Sequence, residues 1–192
     1  MTTVNDILAL SRSQIGVCEQ PMGSNRGTPY HAWYGPESQG WQWCSIFVSW
    51  LMRWMPGTKW AYSGDWLMWG RRNGAEVTIA QAAPGDIVIF DYGDGGSTDH
   101  IGIVEERLGP TTFRTIEGNI GNCVGRKIRT AGPACRMWFV RPKYSQAQPP
   151  EEEEEMSMMF VPPQYVGQID GLHVWDFAEG FNQLAMFSEV HC

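Results

Sequence analysis

One cysteine of the chain stands where a nucleophile could be activated. Cys44 follows the loop residues 40–43 and begins an apolar run in which Phe47, Trp50 and Leu51 recur at helical spacing. A thiol at a helix N-terminus meets the positive end of the helix dipole and free N–H groups, which favour the thiolate. The alternative is a buried cysteine packed among tryptophans, because cysteine is among the most buried residue types. A base and an orienting group elsewhere in the chain would favour catalysis.

His100 is the histidine best placed to act as that base. It begins a β-branched stretch directly after a loop rich in Gly and Asp, so its ring can reach a neighbouring helix end. A cysteine nucleophile needs such a base to take its proton and later to protonate the leaving amine. His31 lies in a predicted loop, and His173 and His191 lie near the C-terminal end. Taken alone, a histidine such as His100 is more often structural.

The third member of a triad is a carboxylate or amide that fixes the tautomer of the imidazole. Glu117 ends the predicted strand 112–117 and suits this role. Asn119, two residues further on, is an alternative or an auxiliary group. Glu105 and Glu106 are poorer candidates because they lie at the far end of the strand that His100 begins.

These residues need helices and strands to position them, and the sequence predicts helices first and strands afterwards. Capping residues and apolar periodicity predict helices from Thr3 to about Gly16, from Cys44 to about Met55, and from Asp65 to about Arg72 with Ser63 as its N-cap. Residues 19–43 are predicted to form a long loop. Strands are predicted at residues 86–90, 100–105, 112–117, 124–129 and 137–141. This order predicts an α+β fold with an antiparallel sheet.

Four blocks of the sequence resemble, in the same order, the blocks of CHAP domains, the cysteine, histidine-dependent amidohydrolases/peptidases of bacteriophage and bacterial cell-wall lysins. The blocks are residues 43–50, 84–90, 99–104 and 115–119, and residues 23–26 and 33–35 resemble the segment before the family's cysteine. The resemblance covers residues 1–143. It implies a papain-like α+β fold with N-terminal helices packed on an antiparallel β-sheet. It also implies Cys44 as nucleophile, His100 as base, and Glu117 and Asn119 as polar partners of the imidazole.

The resemblance implies acyl transfer on a peptidoglycan peptide, as in phage endolysins. Gln42 is a candidate oxyanion donor, and Trp33, Tyr34 and Trp41 are candidate residues of the substrate groove. Both an N-acetylmuramoyl-L-alanine amidase and a peptide endopeptidase are compatible with this triad, since specificity depends on loops. The alternatives are a non-catalytic wall-binding or virion structural module that keeps the fold, and a cytoplasmic thiol protease, which no other feature supports.

No cofactor is expected, and calcium is a less favoured alternative. Some CHAP domains bind calcium through aspartates before the cysteine, but residues 19–43 contain no Asp. Asp91, Asp94 and Asp99 could instead ligate calcium from a different loop. The five cysteines are an odd number and have no metal-ligand spacing. They predict neither a disulfide framework nor a structural zinc site.

The 192 residues suffice for one domain and a small appendage. Residues 144–155, which contain two prolines and five glutamates, predict a linker between a catalytic domain of residues 1–143 and a short C-terminal segment, 156–192, with no assigned role. The five glutamates dominate the net charge of −7, and without them 14 basic side chains face 16 acidic ones. Nothing in this balance is typical of a nucleic-acid-binding protein.

The chain has no apolar run long enough to span a membrane. Residues 1–6 lack the basic and apolar pattern of a secretory signal. We therefore expect the protein to accumulate in the cytoplasm of the producing cell and then to act on the cell wall. The sequence leaves the oligomeric state and the route of release open.

Overall fold

The computed structural model describes residues 2–93 and 98–145, in which helices precede a six-stranded sheet. The helices are α1 (Val4–Ser13), α2 (Pro29–Tyr34), a short 3-10 helix (Pro36–Ser38), α3 (Cys44–Leu51) and α4 (Ser63–Arg72). The strands are β1 (Glu76–Val77), β2 (Ile87–Asp91), β3 (His100–Arg107), β4 (Thr112–Ile120), β5 (Cys123–Thr130) and β6 (Arg136–Val140). The predicted α+β class is confirmed. The predicted linker beyond Ser145 and the segment 156–192 lie outside the described residues.

The register of the sheet determines which side chains share a face. The strand order is β1-β6-β2-β3-β4-β5, and neighbouring strands are antiparallel. His100 lies opposite Phe90 on β2, and Gly102 lies opposite Glu117 on β4. Because alternate residues of a strand point to the same face of the sheet, His100 and Gly102 lie on the same face. Glu117 therefore projects from the face that carries His100.

The two faces of the sheet bury different apolar clusters. Ile101 and Ile103 pack with the helices, whereas Val104 and Phe90 belong to a second cluster on the other face. Helix α3 is buried along almost its whole length, from Cys44 to Leu51. A helix that is apolar on all sides is one that the core surrounds. Burial of each large side chain of α3 stabilises the fold by about 1.5–3 kcal/mol, which anchors the helix that begins with Cys44.

Several predicted boundaries differ from the structure. Residues 29–34 of the predicted loop form α2, because Pro29 occupies the first turn and the Thr28 side chain accepts a hydrogen bond from the His31 N–H. Helix α3 ends at Leu51, four residues before the predicted end. Strand β4 runs on to Ile120, so Glu117 is not its last residue. The predicted capping box of Thr3 and Asp6, by contrast, is confirmed.

The cysteine spacing predicts no disulfide framework, but the structure contains one disulfide. Cys18 and Cys123 are 105 residues apart in the sequence and are joined by a disulfide, with their Cα atoms 3.9 Å apart. An antiparallel bridge between the two residues brings them together, and sequence spacing carries no sign of it. Cys44 and Cys135 are free thiols. Within the described residues, no helix is long and apolar enough to cross a bilayer.

Candidate active site

Cys44 is the first residue of α3 and is only 7% exposed. The helix packs directly on β4 at Gly118, where a Cβ atom would lie 2.7 Å from Phe47 Cβ. A glycine at this position lets the start of the helix approach the sheet that carries the other candidate residues. Trp43 is the N-cap residue and makes no side-chain capping bond. The first N–H groups of α3 therefore remain available to a negatively charged atom beside Cys44.

A buried carboxylate fixes the residue before Cys44. The indole N–H of Trp43 donates to Glu19 Oε1 at 2.8 Å, and the backbone N–H of Asn25 donates to Glu19 Oε2 at 2.8 Å. The Trp43 ring also stacks on Tyr30, with a centroid separation of 5.5 Å. Glu19 has no role in the sequence prediction. Its position as a lone acid ahead of an aromatic-rich segment is the only sign of this contact.

His100 begins β3, and neighbouring segments hold it on both sides. Its Nε2 lies 2.8 Å from Glu117 Oε2, and its ring stacks on Phe90 at 5.8 Å. The backbone just before it is fixed by Ser63, whose hydroxyl donates to the Thr98 carbonyl at 2.8 Å. Ser63 was predicted as the N-cap of α4, but it is the first helical residue and makes this bond instead.

The pKa of His100 shows how strongly it is coupled to its neighbours. Burial by itself would lower this pKa, but hydrogen bonds and electrostatic attraction to Cys44 and Glu117 outweigh burial and raise it to about 9. Because Nε2 is occupied by Glu117, Nδ1 is the ring nitrogen left for Cys44. The imidazole is thus protonated at neutral pH.

Glu117 is fully buried and accepts four hydrogen bonds. Oε2 accepts from His100 and from Arg129 Nη2 (2.6 Å), and Oε1 accepts from Arg129 Nε (2.9 Å) and from the Thr115 hydroxyl (2.5 Å). Burial would raise the pKa of Glu117, but the bonds from Arg129 and His100 outweigh it and lower the pKa to about 2. The carboxylate is therefore ionised and fixed in orientation. Arg129 and Thr115 have no role in the sequence prediction.

Gly102 makes room for this carboxylate. A Cβ atom at Gly102 would lie 2.6 Å from Glu117 Cγ and 2.9 Å from the Ile116 carbonyl oxygen. The Glu117 side chain therefore passes over the bare Cα of Gly102 on its way to His100. The glycine is visible in the sequence, but its role depends on the register of β3 and β4.

Asn119 and Gln42 are placed differently from the triad residues. Asn119 has a left-handed backbone, with φ of 61°, and its side-chain amide donates to Asn25 Oδ1 at 3.2 Å. This bond links β4 to the loop that Glu19 holds, rather than to the imidazole. Gln42 is exposed just before Trp43, at the same end of α3 as Cys44. The roles predicted for these two side chains stay predictions.

The three aromatic residues predicted to line the groove lie side by side. Tyr34 contacts Trp33 and Trp41, with centroid separations of 6.3 and 6.1 Å. The Lys59 ammonium lies 5.6 Å from the Trp33 ring and 5.0 Å from the Tyr34 ring. Trp41 is 45% exposed, and the buried His31 lies 3.2 Å from its carbonyl through Nε2. The three rings thus form a partly exposed ridge, in which Trp41 lies three residues before Cys44 in the sequence.

Two of the three aspartates considered for calcium are held by protein donors. Asp91 is buried and pairs with Arg136, and Asp99 Oδ2 accepts a bond from the Tyr92 N–H at 2.6 Å. Asp94 lies outside the described residues. Within residues 2–93 and 98–145, no three His, Cys, Asp or Glu side chains are grouped as a metal site would require. Calcium binding stays the less favoured alternative.

Comparison with known proteins supplies the family. Residues 33–119 match the family model of the CHAP domain. Over these residues the chain is similar to a CHAP domain. The resemblance inferred from the sequence is thereby confirmed, and the matched segment includes Cys44, His100 and Glu117. Arg129 lies beyond the matched segment of the CHAP domain.

Solved structures and curated proteins add little to this assignment. Five chains of solved structures are significantly similar. One is a wild-type endolysin, LysIME-EF1, at 16% identity and a TM-score of 0.47, with 74% of this chain and 65% of that chain covered. Another is Ly7917, at 19% identity and a TM-score of 0.44, with 73% and 63% covered. The chain thus spans slightly less than two thirds of each. No curated protein is significantly similar.

Proposed function

We propose that the chain is a peptidoglycan hydrolase that cleaves an amide bond by cysteine nucleophilic catalysis. The observation that carries the proposal is the position of His100, bonded to Glu117 through Nε2 and coupled to Cys44. The CHAP domain match supports a hydrolase of this kind. The Cys18–Cys123 disulfide fits a protein that works on the wall, outside the reducing cytoplasm in which we expect it to be made.

The first half-reaction is acylation of Cys44. The Sγ thiolate attacks the carbonyl carbon of the scissile amide, and the carbonyl electron pair moves to oxygen. Backbone N–H groups at the start of α3 stabilise this oxyanion, with Gln42 as a further candidate donor. As the C–N bond breaks, the protonated His100 gives its proton to the leaving amine. A thioester and a neutral imidazole remain.

The second half-reaction is hydrolysis of the thioester. His100 takes a proton from water, and the resulting hydroxide equivalent attacks the thioester carbonyl. The C–S bond then breaks, which releases the carboxylic acid and restores the thiolate and imidazolium. Glu117 keeps the ring oriented throughout and stabilises its positive charge. The exposed ridge of Trp33, Tyr34 and Trp41 is the candidate surface for the wall peptide or glycan.

Digestion of purified sacculi by the full chain, followed by mass spectrometry, tests the proposal. We expect soluble wall fragments with newly formed amine ends. New N-terminal L-alanine would identify an N-acetylmuramoyl-L-alanine amidase, and any other new amine would identify an endopeptidase. A folded protein that binds sacculi without releasing amines would contradict the proposal and favour a wall-binding or virion structural module. Such a module should also tolerate alkylation of Cys44 by iodoacetamide.

A further inference from the structure

Arg129 on β5 makes two bonds to a carboxylate that already has its catalytic partner. Its Nε and Nη2 donate to the two oxygens of Glu117, at 2.9 and 2.6 Å. Its guanidinium lies 5.3 Å from the Phe90 ring and 5.8 Å from the Tyr92 ring. The side chain is only 22% exposed. A planar guanidinium held on both oxygens fixes the plane of the carboxylate as well as its charge.

A triad carboxylate needs only one hydrogen bond to the imidazole. The two additional hydrogen bonds from Arg129 to Glu117 therefore require an explanation. Glu117 is completely buried, and a desolvated carboxylate tends to take up a proton. A protonated Glu117 would no longer stabilise an imidazolium, and its hydroxyl could turn away from His100. Arg129 prevents both changes, because it supplies a permanent positive charge that is bonded to both oxygens of Glu117, including the Oε2 that bonds His100.

We propose that Arg129 is a positioning residue of this site, which keeps Glu117 ionised and oriented and sets the pH range in which the Cys44–His100 pair works. The proposal rests on the proposed catalytic function. Arg129 would be a fourth charged residue of the site, beside Cys44, His100 and Glu117. It lies outside the segment that matches the CHAP model.

The charges around Glu117 give the expected direction of the effect. From β3 it faces His100, from β5 Arg129, and through His100 it is coupled to Cys44 on α3. Tyr92 and Cys135 are also within electrostatic range, but burial raises the pKa of Tyr92 to about 12 and also raises the pKa of Cys135. Both therefore stay neutral near pH 7.

With Arg129 present, the thiolate, imidazolium, carboxylate and guanidinium sum to zero charge. Removal of the guanidinium leaves a net negative cluster that binds protons more tightly. Every protonation step of the cluster then moves to higher pH. Arg129 is partly exposed, and solvent screens its charge, so we expect a shift of about one pH unit.

The rate of alkylation of Cys44 by iodoacetamide, followed on the Cys44 peptide by mass spectrometry between pH 4 and 10, tests the proposal without any wall substrate. In Arg129→Gln, the midpoint of the plot of alkylation rate against pH should move up by ~0.5–1 pH unit. In Arg129→Lys, which keeps the charge and loses the two-bond geometry, the midpoint should stay near that of the unmodified chain. Hydrolysis of sacculi by the Lys variant should fall by about tenfold.

Arg126→Gln is the matched control. Arg126 lies on the same strand and makes the same two-bond pair, with Glu105 at 2.7 and 2.8 Å, away from Cys44 and His100. Its loss should lower thermal stability without moving the midpoint. An unmoved midpoint in folded Arg129→Gln, or a shift in Arg129→Lys, would overturn the proposal. The Lys variant decides the matter if Arg129→Gln does not fold. If the unmodified chain shows the pH-dependent alkylation but releases no wall fragments, the proposed hydrolase function is contradicted. The role of Arg129 can still be tested by alkylation in that case.

Discussion

Gly102 and Glu117 face each other across β3 and β4 so closely that a single added carbon would collide with the carboxylate side chain. The Cβ of any other residue at position 102 would lie 2.6 Å from Glu117 Cγ. Real Cβ atoms do not approach other carbons this closely, so one of the two side chains would have to move. The hydrogen bond between His100 and Glu117 therefore requires that residue 102 has no side chain.

Replacement of Gly102 by Ala should therefore displace Glu117 from His100. We expect activity on sacculi to fall at least about tenfold and the free energy of unfolding to fall by ~1–3 kcal/mol, as for other overpacked sites. Gly125→Ala is the control, because Gly125 flanks Glu117 on the other strand and its Cβ would lie 3.7 Å from Ile120, an ordinary contact. Equal activity of the two variants would show that Glu117 needs no such clearance.

The site residues differ in how far the sequence predicts them. Cys44 and His100 each begin an element, and an element start is signalled by local composition and periodicity. Glu117 also follows from its strand, although the strand runs three residues further than predicted. Arg129, Gly102 and the Cys18–Cys123 disulfide could not be predicted. Their roles depend on which strands are neighbours and in what register, which no local pattern specifies.

The pH dependence of stability should reveal the ion pair of His100 and Glu117. The pKa of His100 is raised from 6.5 to about 9, so its contribution is complete below pH 6.5 and is lost as the pH rises through 9. The pKa of Glu117 is lowered from 4.5 to about 2, so its contribution is complete above pH 4.5 and is lost as the pH falls through 2. Both contributions are complete only between pH 4.5 and 6.5.

Thermal unfolding of the unmodified chain and of Glu117→Gln, measured from pH 3 to pH 10, checks this window. The difference in stability between the two proteins should be largest between pH 4.5 and 6.5 and should shrink on both sides. Glu106→Gln, at a half-exposed carboxylate on β3, serves as the control for loss of a negative charge. A difference for Glu117→Gln that is the same at every pH would mean that its effect is not electrostatic.

Reduction of the Cys18–Cys123 disulfide should destabilise the domain. The bond closes a loop of about one hundred residues, for which chain entropy gives a stabilisation of ~4–5 kcal/mol. It also adjoins Glu19, which holds Trp43 beside Cys44, so activity should fall with stability. We expect the melting temperature to drop by roughly 10–20 °C in the presence of a reductant.

The double variant Cys18→Ser/Cys123→Ser provides the control for this prediction. It should melt at the lowered temperature with or without reductant. A reductant that leaves the melting temperature of the unmodified chain unchanged would show that the disulfide does not contribute to its stability.

The central claim is that Cys44 is the nucleophile, and the most direct test is the release of soluble fragments from purified sacculi by Cys44→Ala and Cys135→Ala. Cys135 is the other free thiol within residues 2–93 and 98–145, and its loss should leave the rate nearly unchanged. Cys44→Ala should keep the circular dichroism spectrum of the unmodified chain and lose activity by at least about a thousandfold. Retention of wall lysis by folded Cys44→Ala would contradict the account.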